Sequence, residues 1–317
     1  DILPLAGQLG NRNLIINGAM QVAQRGTAST ANGYHSVDRF QVNFDSGLTE
    51  APTQSQVALS SSDTPYSSGF RYAFRITNGN QTSQDANDYV QLAYKIEAQD
   101  VAQSGWNYTS SSSNITLSFW VKASIAQTMY ARLNAEDASR AFSFAFSATT
   151  SWQKITKTIP GNSNLVFNND NGVGIALYII PFYGTSYTTS GHTNDAWIAD
   201  SGSDQVTDMA NTWFSGNDAT LEVTGLQLEV GSVTTDFEHR SFSQDLTLCQ
   251  RYFYTNSSAY FPSPMSMQYE FHPTMRAAPT ITHSHSGSPQ IFNITQYGFN
   301  GFNSGNTQGA YFATAEL

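Results

Sequence analysis

Cysteine is nearly missing from this chain. Its 317 residues include one, Cys249, so neither an intrachain disulfide framework nor a cysteine-rich zinc site can be built. Charge is scarce as well: 12% of residues are charged, against roughly 25% in an ordinary soluble domain. Basic residues number 14 against 24 acidic ones, for a net charge of −10. Neutralising phosphates requires Lys and Arg gathered on one face, so a nucleic-acid partner is excluded. No stretch approaches the ~18 unbroken apolar residues of a spanning helix, which excludes membrane insertion by a helix. Residues 2–9 are short, lack a basic flank and carry Pro4 and Gly7, so they do not read as a signal peptide. A start at Asp1 reads as a chain processed or cut from something longer. No GxSxG elbow and no repeat of fixed period is visible.

What fills the gap is Ser, Thr, Asn, Gln and Gly, whose short polar side chains compete with the backbone for hydrogen bonds and disfavour helices. Aromatics, at 13%, suit a pleated, half-buried surface. Alternation with period 2 recurs along the chain. Phe70, Tyr72, Phe74 and Ile76 share one face of a predicted strand. Val90, Leu92, Tyr94 and Ile96 share another, as do Ile115, Leu117, Phe119 and Val121, and Phe142, Phe144 and Phe146. Residues 173–180 are apolar on both faces and predict a central strand. Gly225 interrupts the alternation of Leu221 and Val223 with Leu226, Leu228 and Val230, which predicts a bulge. Strands this numerous, without alternating helices, imply an all-β, two-sheet antiparallel sandwich. One helix follows: Ser241 and Gln244 have capping-box spacing, and Phe242, Leu246, Cys249 and Phe253 recur at helical intervals. The predicted organisation is a connecting segment over residues 1–13, a sandwich over 14–240, and the helix with a small C-terminal β domain over 241–317.

Two loops carry candidate binding residues. The region 184–216 is long for a structureless connection, and such loops are functional or disordered. It combines Tyr187, Trp197 and Trp213 with Asp195, Asp200, Asp204 and Asp208. Flat aromatic faces with carboxylates suit sugar recognition; the same residues also suit a loop anchored by its Trp side chains, with Asp residues capping turns. Trp106 and Tyr108 form a second aromatic loop with the same two readings. Paired carboxylates for hydrolysis have candidates in Asp85 with Asp88 and Glu136 with Asp137, and nothing separates these from solvated loop charges. No catalytic residue is assigned, and the chain is read as a binder rather than an enzyme.

Residues 11–26 (NRNLIINGAMQVAQRG), 36–40 (SVDRF), 223–242 (VTGLQLEVGSVTTDFEHRSF) and 248–252 (LCQRY) resemble the opening and closing runs of a module in tailed-bacteriophage tail-fibre and virion-appendage proteins. Residues 275–279 (MRAAP) and 315–317 (AEL) are similar to that family's tail. Residues 117–123 (LSFWVKA) and 151–154 (SWQK) resemble jelly-roll carbohydrate-binding modules. Residues 183–214 have no counterpart in either. The resemblance implies a jelly-roll sandwich in a homotrimeric virion appendage that binds bacterial surface polysaccharide or lipopolysaccharide and contacts other virion proteins. A head fibre, a capsid-decorating protein and a polysaccharide depolymerase are the rival readings. No cofactor is required by any of these features. A structural calcium ion between first and last strands is one expectation, with Glu229, Asp38 or Glu238 and carbonyls near Asn17 as ligands. The pair His283 and His285, sharing a strand face around a threefold axis, is a second candidate metal site.

Overall fold

The computed structural model describes residues 11–263 and 265–317. The first ten residues of the predicted connecting segment therefore lie outside the described residues. The chain divides into two compact units, Asp1–His239 and Arg240–Leu317.

The described part of the first unit carries strands β1 (Ala28–Ser29), β2 (Phe40–Phe44), β3 (Thr53–Ala58), β4 (Tyr72–Thr77), β5 (Tyr89–Glu97), β6 (Asn114–Ala123), β7 (Gln127–Ala135), β8 (Arg140–Ala148), β9 (Gln153–Pro160), β10 (Val173–Tyr183), β11 (Trp197–Ala199) and β12 (Thr220–Val230), with short helices α1 (Thr64–Ser67) and α2 (Ala98–Ala102). They form two six-stranded antiparallel sheets, ordered β1-β3-β4-β12-β6-β9 and β11-β8-β7-β10-β5-β2. The result is an antiparallel jelly-roll sandwich. Inward residues of the two sheets make one core, which includes Phe40, Leu92, Tyr94, Leu117, Phe119, Leu133, Phe142, Leu177 and Leu228. The rows read from β5, β6 and β8 face this core as predicted. Residues 173–180 lie in β10, which sits between β5 and β7. In the Phe70–Ile76 stretch the prediction is corrected in part: Phe74 and Ile76 face the main core, Tyr72 is exposed, and Phe70 packs before the strand in a separate cluster with Ala73 and Trp152.

Gly225 marks the predicted bulge. The pairing of β12 with β6 shifts register between Thr224 and Gln227, and Gly225 has φ +63°, where a Cβ would also sit 2.7 Å from the Phe70 ring. Only glycine meets both demands.

The two ends of the sandwich are tied together. The Asn13 amide donates to Leu226 O at 3.0 Å while its Oδ1 accepts from Leu228 N at 3.0 Å, and Leu14 N donates to Leu228 O at 2.9 Å. The Glu238 carboxylate accepts from Asn11 N at 2.5 Å and Asn13 N at 2.7 Å. A Cβ on Gly18 would lie 2.1 Å from Leu226 O, so that position must stay bare. The residues of the opening and closing motifs thus hold one another.

The second unit opens with α3 (Phe242–Gln250), whose capping box between Ser241 and Gln244 is formed in both directions. The predicted apolar stripe is corrected: Cys249 is buried, but Phe242 is 55% exposed, Leu246 is half-buried and Phe253 already belongs to a strand. Strands β13 (Phe253–Phe261), β14 (Met267–Glu270), β15 (Thr280–His283), β16 (Gln290–Thr295), β17 (Gly298–Phe302) and β18 (Thr307–Thr314) make two three-stranded sheets, β13-β18-β15 and β14-β17-β16. Their core is Phe261, Phe271, Met275, Phe299 and Tyr311 with small residues around them.

Candidate functional site

The middle of the outer face of the β11-β8-β7-β10-β5-β2 sheet is built of large side chains. Its central strand contributes Tyr178, Ile180 and Tyr183; β7 contributes Tyr130, Arg132 and Asn134; β5 contributes Tyr89 and Gln91. In register, Tyr178 lies opposite Arg132, Ala176 opposite Asn134, and Tyr183 opposite Tyr89. Tyr89, Gln91, Arg132, Asn134, Tyr178 and Tyr183, with Tyr187, Asp200, Gly202 and Gln205 from the long loop, line a cleft of about 280 Å³.

The polar groups of the cleft are only partly satisfied. Arg132 pairs with Asp200, and its Nη1 reaches Gln205 Oε1 at 3.3 Å. Asn134 Nδ2 is 3.4 Å from Asp200 Oδ2. Arg132 Nε and Asn134 Oδ1 are buried without any partner among the described residues. A buried polar atom left unpaired costs about 1–3 kcal/mol, so the cleft carries two unsatisfied groups. The Tyr183 hydroxyl donates to Gln91. Burial pushes the Tyr178 hydroxyl up to about 12, helped by the charge of Glu136 and opposed by Arg132; Tyr89 and Tyr183 are raised by burial too. These phenols stay protonated and able to donate at neutral pH.

The long loop forms the wall. Its aromatic foot is Tyr187, edge-on to Tyr89 with centroids 5.6 Å apart and tilted against Tyr183 at 5.5 Å. Val206 is fully buried against Tyr130, Ile180 and Tyr183. A parallel bridge joins Thr188 to Val206, and β11 pairs with β8.

The residues predicted for sugar contact separate into two groups. Tyr187 and Asp200 line the cleft. Trp197 and Trp213 do not, which corrects their expected role. Trp213 is 0% exposed, and its indole N–H donates to Thr220 O at 3.1 Å. Trp197 packs on Phe142 and donates to Pro160 O at 2.7 Å. Neither has a face free to stack on a sugar: they anchor the loop. Trp106 is likewise in the core, bonded to Ser113 O and clustered with Tyr108 and Phe167. Asp195 is exposed and paired with Lys157, outside the cleft. Of the carboxylate pairs, Asp88 accepts from Asp85 N at 2.6 Å and Asp137 accepts from Asn168, both as loop ties.

The metal expectations are corrected in the same way. Glu229 accepts from Thr235 and Gln227, Asp38 from Gln24, and Glu238 from the Asn11 and Asn13 amides. The Asn17 side chain bonds Val22 and the Asp38 carbonyl. Backbone and side-chain donors hold these oxygens, and no group of three or more His, Cys, Asp or Glu gathers to hold a metal among the described residues. The His283 and His285 rings lie close, with centroids 6.0 Å apart, but their surroundings differ. His283 is exposed, whereas His285 is buried and stacked on Phe261 with centroids 4.0 Å apart.

Arg132, Asn134, Tyr178, Tyr89, Gln91 and Gln205 escaped the sequence reading. A usable signal was present in residues 127–135, where Met129, Ala131, Leu133 and Ala135 alternate with Tyr130, Arg132 and Asn134. An outward row of Tyr, Arg and Asn is unlike a plain solvent face.

No protein-family model matches the chain, and no curated protein matches it in sequence. Solved structures with similar folds do exist. The family 11 carbohydrate-binding module of a Clostridium thermocellum cellulosomal cellulase aligns with 68% of this chain and 98% of its own, at 11% identity and TM-score 0.32. The module TmCBM61, solved with β-1,4-galactotriose, covers 70% and 99%, at 10% identity and TM-score 0.31. The enzymatically active domain of bacteriophage CBA120 tailspike protein 4 matches 69% of this chain at 8% identity and TM-score 0.36, and the match spans 22% of that domain. No described helix is long and apolar enough to cross a membrane.

Proposed function

We propose that this chain is a glycan-binding module of a phage tail appendage, and that it holds a bacterial surface saccharide in the cleft floored by Tyr178 and walled by Tyr187. One observation carries the reading: Arg132 Nε and Asn134 Oδ1, neighbours on one face of β7, are buried and unpartnered beside an aromatic ring. A guanidinium and a carboxamide two positions apart on one strand face suit the hydroxyls of a sugar, and an adjacent ring suits its C–H face. The cleft suits binding better than hydrolysis. Asp200 is the one carboxylate among its lining residues, whereas glycoside cleavage by the usual route needs two. The phage assignment rests on the resemblance of residues 11–26 and 223–242, which in this chain meet through the tie of Asn13 and Gly18 to β12. A homotrimer with other virion proteins as neighbours is part of the same proposal. Exposed Phe292, Ile294 and Tyr297 on the second unit supply apolar area that association would cover.

The test is a glycan array of bacterial O-chain and capsule oligosaccharides, probed with wild type and with Tyr178→Ala/Asn134→Ala. Binding by wild type and loss in the double variant supports the reading. Equal binding by both sinks it.

A further inference from the structure

The wall of the cleft is fastened to the sheet by side chains that the cleft itself does not use. Ser143, on the outer face of β8, places Oγ 2.6 Å from His192 Nε2, and His192 Nδ1 lies 2.8 Å from Asp204 Oδ1. The order hydroxyl, imidazole, carboxylate is that of a nucleophilic triad. Burial decides against chemistry. Ser143 is 2% exposed and His192 9%, so an acyl carbon has no approach to the hydroxyl.

We propose instead that His192 is a positioning residue for the cleft, a clamp through which β8 holds the second limb of the loop against Arg132. The inference rests on the cleft being the ligand site, although the clamp is defined without any ligand. Three observations support it. First, His192 joins three pieces at once. It lies on the first limb of the loop, bonds the sheet through Ser143, and bonds the second limb through Asp204. Second, Asp204 is the residue before Gln205, which accepts from Arg132, and lies four residues after Asp200, which pairs with Arg132. Displacing Asp204 therefore displaces both partners of the guanidinium. Third, the surrounding bonds all act in the same direction. Thr189 Oγ1 donates to Asp204 Oδ1 at 2.8 Å, Asn194 Nδ2 reaches Thr207 Oγ1 at 2.7 Å, and Gln205 N donates to Tyr187 O at 2.9 Å. An ionised carboxylate only accepts, so Asp204 requires the proton on His192 Nδ1. Hydrogen bonds from Thr189 and His192 hold the Asp204 carboxyl below its ordinary range.

Hydrogen exchange read by mass spectrometry, with phenylglyoxal labelling of Arg132, tests the clamp on the ligand-free full chain. In His192→Ala, exchange over residues 198–206 should rise about 10-fold or more, as expected when a local closing equilibrium is weakened. Arg132 should label faster, because Asp200 and Gln205 no longer cover it. Strands β5 and β12 should keep wild-type exchange. His192→Gln, whose amide can accept from Ser143 and donate to Asp204, should recover most of the protection. Should His192→Ala fail to fold, Ser143→Ala removes the sheet end of the clamp at an ordinary strand position and should move both readouts the same way. Unchanged exchange and labelling, a rise spread evenly through both sheets, or no recovery by Gln would each overturn the proposal. No sugar enters either measurement. A cleft that binds no glycan leaves the exchange result standing, and a failed clamp leaves the array result standing.

Discussion

Tyr178 on β10 stands directly across the ladder from Arg132 on β7. The ring and the guanidinium therefore share one patch of sheet, with backbone rather than loop fixing their spacing. Removing the ring should cost affinity without costing fold. Tyr178→Ala is expected to weaken binding to an array-positive oligosaccharide by about 30-fold, the equivalent of ~2 kcal/mol for an aromatic hot spot. Titration calorimetry measures this, with the far-UV spectrum as control. An unchanged dissociation constant would move the site elsewhere.

Trp213 makes the opposite case. Its indole is wholly inside the core, so Trp213→Ala should destabilise the first unit by ~3–5 kcal/mol through the cavity it leaves. Urea unfolding followed by circular dichroism checks it. A variant that is as stable as wild type but fails to bind would contradict the anchoring role.

The tie between sandwich ends gives a third expectation. Asn13→Ala strands Leu226 O, Leu228 N and Ile15 N, which now pair with its amide. Each buried group left unsatisfied costs ~1–3 kcal/mol, so a loss of about 2 kcal/mol or more is expected. Hydrogen exchange should rise first at residues 226–228.

Asp63 should shape the acid limb of stability. Its carboxyl is lowered to about 2, chiefly by the backbone N–H of Ser60, with further bonds from the Ser60 hydroxyl and Trp152 Nε1 and the nearby Lys122 acting against burial. A depressed folded value means the stabilisation is present above the ordinary 3.8 and is lost as pH falls from there towards 2. Asp63→Asn should flatten the melting-temperature profile across that window. If both proteins lose stability in parallel between these values, Asp63 is not the group responsible.

Self-association should depend on the second unit. Wild type is expected to sediment as a trimer at micromolar concentration, and Phe292→Ser/Tyr297→Ser to shift it towards monomer. A monomeric wild type would remove the oligomer from the proposal.

Much of the scaffold was legible in the residues. Alternating Val90, Leu92, Tyr94 and Ile96, or Phe142, Phe144 and Phe146, leaves one arrangement that buries an apolar row, and Gly225 and Ser241 announce a bulge and a helix start through local backbone demands. Phe70 shows where periodicity stops: the chain reverses side between Phe70 and Tyr72, and the cluster of Ala73, Trp152 and Phe237, the last with centroids 4.8 Å away, explains its burial. The site was less legible because a Trp reads the same whether it faces a sugar or a core. Trp197 and Trp213 have rings suited to stacking but lack the exposure to perform it. Tyr178 and Arg132 lie 46 positions apart in sequence (178 − 132) and become neighbours only through the register of β7 and β10. The Ser143–His192–Asp204 chain spans a loop with no periodic pattern at all, so nothing local marked it.

Because Asn13 and Glu238 fasten entry to exit, the sandwich hangs from the chain by two adjacent threads. Tension applied through the flanking segments falls first on a handful of hydrogen bonds among Asn11, Asn13, Leu228 and Glu238, and only after these part does it reach the strands. The strength of that small tie, rather than that of the sheets, therefore sets the tension at which the module begins to open.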